Sequence, residues 1–443
     1  MKIGEKESGE DLTLKGLLLF SLPSIASSVL EPLASVVDTA MVGHIETPLV
    51  GVLAIATTIL SSFTWMFNFL VHASTRNVSH HFAKKEGKAL AATIRSGLKV
   101  AFLIGLVSAL CLYFLRYPLY QLAAMPEELS NGVDKYFSIR LIGHPFLILS
   151  VTLLSIIRGF GQVNLCFYIV LGTTALNILV TGLLLFVFGW GIEGASYGTV
   201  VSQVVGFLFS AYFVFREKKL RTLVLGGNLS SSEVKIEFGK DSLALFGRSF
   251  VLTSVFFLST RLAANLGVNA LACHQILLQI WLFVSFFVDG VAMTANILGA
   301  KFYAKKEIEK LKEMFTNLLW LGGIIGGLFL IFYLFLPSLV WSLFTFDKKV
   351  IELLSYIWPL IVWSQVINCL SFVYDGLLFG LGEFNFLRRH MFLGSVLTFL
   401  PLGLWSYSEK SLMAIWLGLI ALNVYRYISG YLRTMKIVNA AQS

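Results

Sequence analysis

The acidic side chains that fall inside apolar stretches are the first residues in this chain with chemistry to offer. Between residues 14 and 43, Glu31 and Asp38 lie seven positions apart, two helical turns and so on nearly one face. Ser24, Ser27, Ser28 and Ser35 share that face at spacings of three, four and seven. An ionisable side chain in hydrocarbon costs at least ~2.5 kcal/mol on insertion scales, so each one needs a compensating role. A polar stripe of this kind lines water or another polar helix, not lipid. Asp38 could take up a proton or a cation; it could also end the helix as a cap or pair with a neighbouring Lys. Glu31 is a secondary candidate, equally suited to hydrogen bonding between helices. Between residues 165 and 188, Thr173, Thr174, Asn177 and Thr181 recur on one face. An Asn carbonyl can coordinate a cation, but Thr and Asn also join helices in membranes. In the second half, Asp289 in Phe286-Phe287-Val288-Asp289-Gly290 and Asp375 in Tyr374-Asp375-Gly376 are proton or substrate candidates. Asp375 could equally cap the turn into Gly380 to Gly382.

The elements that must position these residues follow from hydropathy. Of 443 residues 57% are hydrophobic and 13% charged, and the mean hydropathy is +0.80. A water-soluble fold of that composition would aggregate. The apolar residues come in runs long enough to cross a bilayer of ~30 Å. Twelve spans are expected, near 14–43, 49–74, 97–115, 136–157, 165–188, 194–215, 246–266, 270–298, 316–344, 352–380, 390–406 and 411–432. The fold class is therefore all-α integral membrane. With the N-terminus cytoplasmic, 26 of the 34 Lys and Arg fall on the inner side, the direction that basic loops take in membranes, and both termini are expected to be cytoplasmic. This asymmetry also accounts for the net charge of +9 without nucleic acid. The polar start has no signal-peptide pattern, so the first span is expected to be retained.

The chain repeats. Phe82-Ala83-Lys84-Lys85-Glu86 after the second span is matched by Tyr303-Ala304-Lys305-Lys306-Glu307 after the eighth, a shift of 221. Gly159, Gly161 and Asn164 after the fourth span are matched at the same shift by Gly380, Gly382 and Asn385 after the tenth. Six spans per half inserts both halves in one orientation, so two six-helix bundles related by a pseudo-two-fold axis along the membrane normal are expected. The expected organisation is an N-terminal lobe over residues 1–215, a cytoplasmic linker over 216–245 and a C-terminal lobe over 246–443.

Other chemistry is thin. No P-loop, GxSxG or HExxH occurs, so neither an ATP motor nor an enzyme is expected. Cys111, Cys166, Cys273 and Cys369 read as small buried hydrophobes, and the seven His are scattered without ligand spacing. Arg248 and Arg261 lie near opposite ends of the seventh span, where long basic side chains can snorkel to headgroups.

Taken together, these residues resemble the multidrug and toxic compound extrusion (MATE) family, and within it the DinF-like branch. The resemblance rests on Leu22-Pro23, the run Val37-Asp38-Thr39-Ala40-Met41-Val42-Gly43-His44, Arg158-Gly159 with Gly161, Gly189-Trp190-Gly191-Ile192-Glu193-Gly194-Ala195, and His274-Gln275-Ile276. It covers nearly the whole chain. The resemblance implies two bundles around a central cavity and alternating access driven by an H+ or Na+ gradient. It also implies cation-coupling roles for Asp38, Asn177, Ala195 and Thr199, and a first helix that bends at Pro23. One position departs: where many members carry a second acid one turn after the Asn, this chain has Thr181. A Na+ site at Asp38, Asn177 and Thr199 with one carboxylate would be weaker, which favours proton coupling without excluding Na+.

The function expected is cation-coupled export of organic, cationic or amphiphilic compounds, with no cofactor beyond H+ or Na+. The partners expected are small organic substrates and the lipid bilayer, with no nucleic acid, and the expected state is a monomer in the cell membrane. The alternatives are a lipid-linked precursor flippase, which would need a basic cavity for its phosphates, and a membrane scaffold without transport, which has no need for polar stripes inside spans.

Overall fold

The computed structural model describes residues 11–123, 125–216, 218–225 and 232–440. Backbone N–H and C=O groups find no water in hydrocarbon, and a helix satisfies them within its own segment. Twelve helical spans result: α1 Leu14–Gly43, α2 Pro48–Ala83, α3 Gly87–Leu122, α4 Glu127–Gly159, α5 Val163–Val187, α6 Gly191–Phe215, α7 Phe238–Asn265, α8 Val268–Ala304, α9 Ile308–Phe335, α10 Lys348–Gly380, α11 Phe384–Glu409 and α12 Leu412–Ala440. No strand occurs among the described residues. Several helices outrun the expected spans. The apolar run of α3 covers 97–115, but its helix begins at Gly87, where Arg95 donates to the Val224 carbonyl of a short helix, Lys218–Leu225. That short helix and residues 232–245, which are helical at the start of Ser232–Asn265, are described parts of the expected linker; residues 217 and 226–231 lie outside the described residues.

Large apolar side chains are exposed along the spans, among them Phe114, Leu179 and Trp320. In a lipid-facing helix this surface has nothing to gain from burial. Small and polar residues turn inward instead. Gly159 near the end of α4 packs on α2, where a Cβ would stand 2.9 Å from the Thr75 carbonyl oxygen; Gly380 at the end of α10 packs on α8, where a Cβ would stand 2.8 Å from the Asn296 carbonyl oxygen. These positions are 221 apart and so are their partners. The repeat thus has a packing cause, since only a residue without Cβ lets the two backbones approach this closely.

The turns after α2 and α8 also match. Lys85 and Lys306 both sit at φ 58°, and Gly161 and Gly382 both at φ 77°. After each positive-φ residue the next N–H reaches five residues back, Glu86 to the His81 carbonyl at 3.0 Å and Glu307 to the Phe302 carbonyl at 2.9 Å. Gln162 and Glu383 do the same to Ile157 and Leu378, at 3.2 and 2.9 Å. This left-handed closure satisfies helix-end carbonyls that would otherwise be orphaned.

Packing divides the described chain into two units: Ala26–Ser242 in the first, and Leu243–Ser443 with the part of α1 up to Ile25 in the second. Hydropathy can divide a chain only at its polar segments, whereas packing assigns α1 and α7, the lead helices of the two repeats, each to both units. The reasons are local. Ser21 donates to Thr294 of α8 at 2.8 Å, and Asn317 of α9 donates to the Leu12 carbonyl at 2.7 Å. Before the unit boundary within α7, Asp241 accepts from Asn77 of α2 at 3.3 Å. Within the first unit, the final turns of α5, Leu183–Val187, are π-helical, as are Ser395–Phe399 of α11 in the second. Such insertions often accompany functional sites in helices.

The positive φ at Lys306 is a steric demand, and its test is substitution. Lys306→Val should lower stability by about 1–2 kcal/mol, because a β-branched residue is strained there. Lys306→Gly should be tolerated. Thermal unfolding of the purified protein in detergent would rank the two.

Candidate functional site

Four helices of the first unit, α1, α4, α5 and α6, bring polar side chains to one place. Asn177 of α5 is buried, and its Nδ2 donates to Thr199 Oγ1 of α6 at 3.3 Å. Thr199 in turn donates to the Ala195 carbonyl at 3.0 Å. Tyr136 of α4 stands beside Thr199, buried with only 1% of its surface exposed. One turn along α4, Arg140 donates through Nη1 to the Tyr136 hydroxyl at 2.7 Å, its guanidinium carbon 5.5 Å from the Tyr136 ring centre. Asp38 of α1 lies within electrostatic range of both Arg140 and Tyr136.

Asp38 is the member with least compensation. Its Oδ1 is buried and makes no hydrogen bond among the described residues, and Arg140 Nε is in the same condition. Neither of the bland expectations for Asp38 is met: its Oδ1 caps nothing, and no Lys forms an ion pair with it among the described residues. Val42, Ala56, Val133, Phe137, Leu185 and Ala195 of the same helices and of α2 belong to one buried apolar core. An ionised carboxylate in such a setting holds charge at a high cost, which a proton or a cation relieves.

The remaining expected residues of this lobe sort differently. Thr181 is fully buried and packs against Gly198 of α6, and its hydroxyl has no partner among the described residues. It is a helix contact one turn from Asn177. The serine stripe of α1 does not keep to one buried face: Ser21, Ser24 and Ser27 are buried, whereas Ser35 is exposed. The Glu31 side chain lies outside the described residues. Helix α1 runs without interruption through Pro23.

In the second unit the two acids separate in role. Asp375 of α10 is 6% exposed and accepts on Oδ2 from Arg248 of α7 and Arg426 of α12. Arg426 also donates to Asn423 Oδ1 at 2.6 Å, and Asn423 donates to Asn368 Oδ1 of α10 at 3.1 Å. The guanidiniums lie over Phe379 and Phe372, each 5.1 Å from the ring centre. Asp375 is thus the hub of a buried network, not the cap of the following turn. Arg248, expected to snorkel to headgroups, is instead drawn inward by this carboxylate. Asp289 of α8 is half-buried, and its charge acts on Arg248. Among the cysteines Cys166, Cys273 and Cys369 are buried as expected, but Cys111 is exposed on α3.

Sequence reasoning passed over Tyr136, Arg140, Arg426 and Asn423. The signal was available, since a guanidinium inside an apolar span costs as much as a carboxylate and demands a partner in the same way. Applied to Arg140 and Arg426, that rule points to an acid on another helix.

Comparison with known proteins bears on both repeats. The MatE family profile matches residues 23–183 and again residues 244–405, with starts 221 positions apart. This chain belongs to the MatE family. Protein DETOXIFICATION 44, chloroplastic, of Arabidopsis thaliana is 28% identical over 435 residues, covering 94% of this chain and 81% of that protein. DNA damage-inducible protein F of Escherichia coli, the DinF protein, is 25% identical over 429 residues, covering 94% and 90%. Among solved structures, the outward-facing conformation of a multidrug resistance MATE family transporter of the MOP superfamily superposes with a TM-score of 0.87 at 16% identity, covering 99% of this chain and 100% of that one. A MOP superfamily transporter from Pyrococcus furiosus, described by a binding pocket of reverse polarity, gives 0.80 at 16% identity over 99% and 100%. The MatE fold and family are therefore those of multi-pass membrane efflux transporters, with twelve spans here.

The Asp375 hub makes a stability prediction for this MatE protein. Asp375→Ala would leave two buried guanidiniums without their shared acceptor, a loss of about 3–5 kcal/mol. Thermal unfolding in detergent should show a large drop. A drop within that of Asp289→Ala would mean that the network contributes little.

Proposed function

We propose that this chain is a cation-coupled antiporter that exports organic cationic or amphiphilic compounds by alternating access, with Asp38 as its coupling carboxylate. It works from the cell membrane with both termini cytoplasmic, in keeping with the distribution of Lys and Arg along the chain. The observation that carries this reading is a buried Asp38 oxygen without a hydrogen-bond partner among the described residues, inside a cluster supplied by four spans. A structural acid would be satisfied; an acid that must exchange a cation is left available.

Asp38 alternates in this scheme between a carboxylate and a neutralised state. Neutralisation removes a polar constraint on the outer part of α1, which then bends at Pro23 and displaces bound substrate. Pro23 supplies the weak point because it removes one backbone hydrogen bond from the helix. Asn177, Thr199 and the Ala195 carbonyl are the neutral oxygens nearest to such a cation. In the second lobe Asp375 is engaged by two guanidiniums, and Asp289 is the other candidate acid. That engagement also weighs against a lipid-linked precursor flippase, which would need those guanidiniums for phosphate.

Asp38→Asn keeps the size and removes the charge cycle. The variant should fold, with its thermal transition in detergent close to that of the parent, and gradient-driven ethidium efflux from proteoliposomes should fall to the level of empty vesicles. Unimpaired gradient-driven efflux by this variant would refute the role of Asp38.

A further inference from the structure

The turn between α4 and α5 and the end of α6 enclose a narrow cleft within the first unit. Ile157 and Phe160 before the turn, Leu165 of α5, and Phe213 and Val214 of α6 give it apolar walls, while Gln162 and Arg216 are its polar lining. Its interior of about 40 Å³ seats a few methylenes and no more, so whatever binds here lies mostly on the helix surface. Tyr168, one turn from Leu165, and Tyr212, next to Phe213, are exposed, and tyrosine rings favour the headgroup level of a bilayer.

The charge at this corner is positive. Arg216 is exposed, its guanidinium carbon 5.3 Å from the Phe213 ring centre. Two residues on, the short helix Lys218–Leu225 begins, and its Val224 is buried in the same apolar cluster as Ile157, Phe160 and Val214. With the Val224 carbonyl held by Arg95 at 2.8 Å, Lys218 and Arg221 stay exposed one turn apart. Residues 216 to 221 carry four basic side chains and one acid, Glu217, which lies outside the described residues. Arg216, Lys218 and Arg221 form no ion pair among the described residues. The repeat shows what is missing. At the shift of 221, neutral Gln162 corresponds to Glu383, which in the second unit accepts from Arg433 of α12 on both carboxylate oxygens, at 2.8 and 2.9 Å. One half of the chain supplies an acid at this turn; the other presents arginine beside an apolar cleft and supplies none among the described residues.

We propose that this corner binds an anionic phospholipid, in the cytoplasmic leaflet on the orientation given above. Its phosphate is taken by Arg216, with Lys218 and Arg221 adding attraction, and the first methylenes of one chain enter the cleft between Leu165 and Phe213. The rest of the lipid lies along α5 and α6. Clusters of Lys and Arg beside a span draw anionic headgroups in this way. A zwitterionic lipid offers the same phosphate together with a cation that the three basic residues repel, and a free phosphate leaves the cleft unfilled.

Lipid binding is read without transport, so the result is independent of the role of Asp38. The purified protein in dodecyl maltoside is titrated with dioleoylphosphatidylglycerol, dioleoylphosphatidylcholine or sodium phosphate while its thermal unfolding is followed. Phosphatidylglycerol should raise the transition saturably, and the other two should leave it in place. Arg216→Gln with Arg221→Gln, both at exposed side chains, should keep the lipid-free transition and need about tenfold more phosphatidylglycerol for half the effect. Arg389→Gln with Lys436→Gln, which neutralises two exposed charges of the second unit, should leave that midpoint unchanged. No response to phosphatidylglycerol, or an equal one to phosphatidylcholine or to phosphate, would overturn the proposal. So would a midpoint that the Arg216 and Arg221 changes leave in place, or that the control pair shifts as far.

Discussion

The structure depends on the cost of holding a polar group in hydrocarbon without a partner. Helices answer it for the backbone, and the left-handed closures at Lys85, Lys306, Gly161 and Gly382 answer it at helix ends. Side chains answer it in two ways in the two units. In the second, Asp375, Arg248, Arg426, Asn423 and Asn368 are joined in a chain of contacts across three spans. In the first, Asp38 and Arg140 each keep a buried atom without a partner. Guanidinium Nε atoms of Arg248 and Arg426 and the Asn368 amide nitrogen also lack partners among the described residues, so what sets Asp38 apart is that it is the acid among the unpartnered groups.

The repeat shows which features the architecture requires and which it leaves free. Gly159 and Gly380 admit a neighbouring carbonyl to within a distance that a side chain would block, and the turns beside them share φ values and hydrogen-bond spans. These are demands of helix contact and chain reversal, identical in both halves. The chemistry is not repeated. Asp38, shifted by 221, falls at Ser259, and Arg140 falls at Ile361. Packing is duplicated and charge is not: Asp38 and Asp375 stand in different settings in the two units.

The assignment of α1 to both packing units gives that helix a place in the scheme. Its first part is tied to α8 through Ser21, and the residues just before it to α9 through Leu12, while the part bearing Asp38 belongs with α4 to α6. Pro23 lies two residues before the change of unit. The proline ring removes one backbone hydrogen bond from α1 close to that change.

By itself the sequence determined the number and order of spans, the repeat and its offset, and the acids worth attention, because each is a one-dimensional signal: hydropathy per turn, a fixed shift, a charge in an apolar run. It also marked Asn177 and Thr199 through family resemblance. Only the tertiary structure decided the rest. Asp375 became a hub instead of a turn cap because Arg248 and Arg426 arrive from helices distant in sequence. Thr181 became a packing residue because Gly198 lies against it. Arg140 and Tyr136 come within electrostatic range of Asp38 because Val42 of α1 shares a buried cluster with Val133 and Phe137 of α4. Whether a buried charge is satisfied depends on which helices meet, and that is set by the packing of side chains in three dimensions, not by the pattern along any one of them.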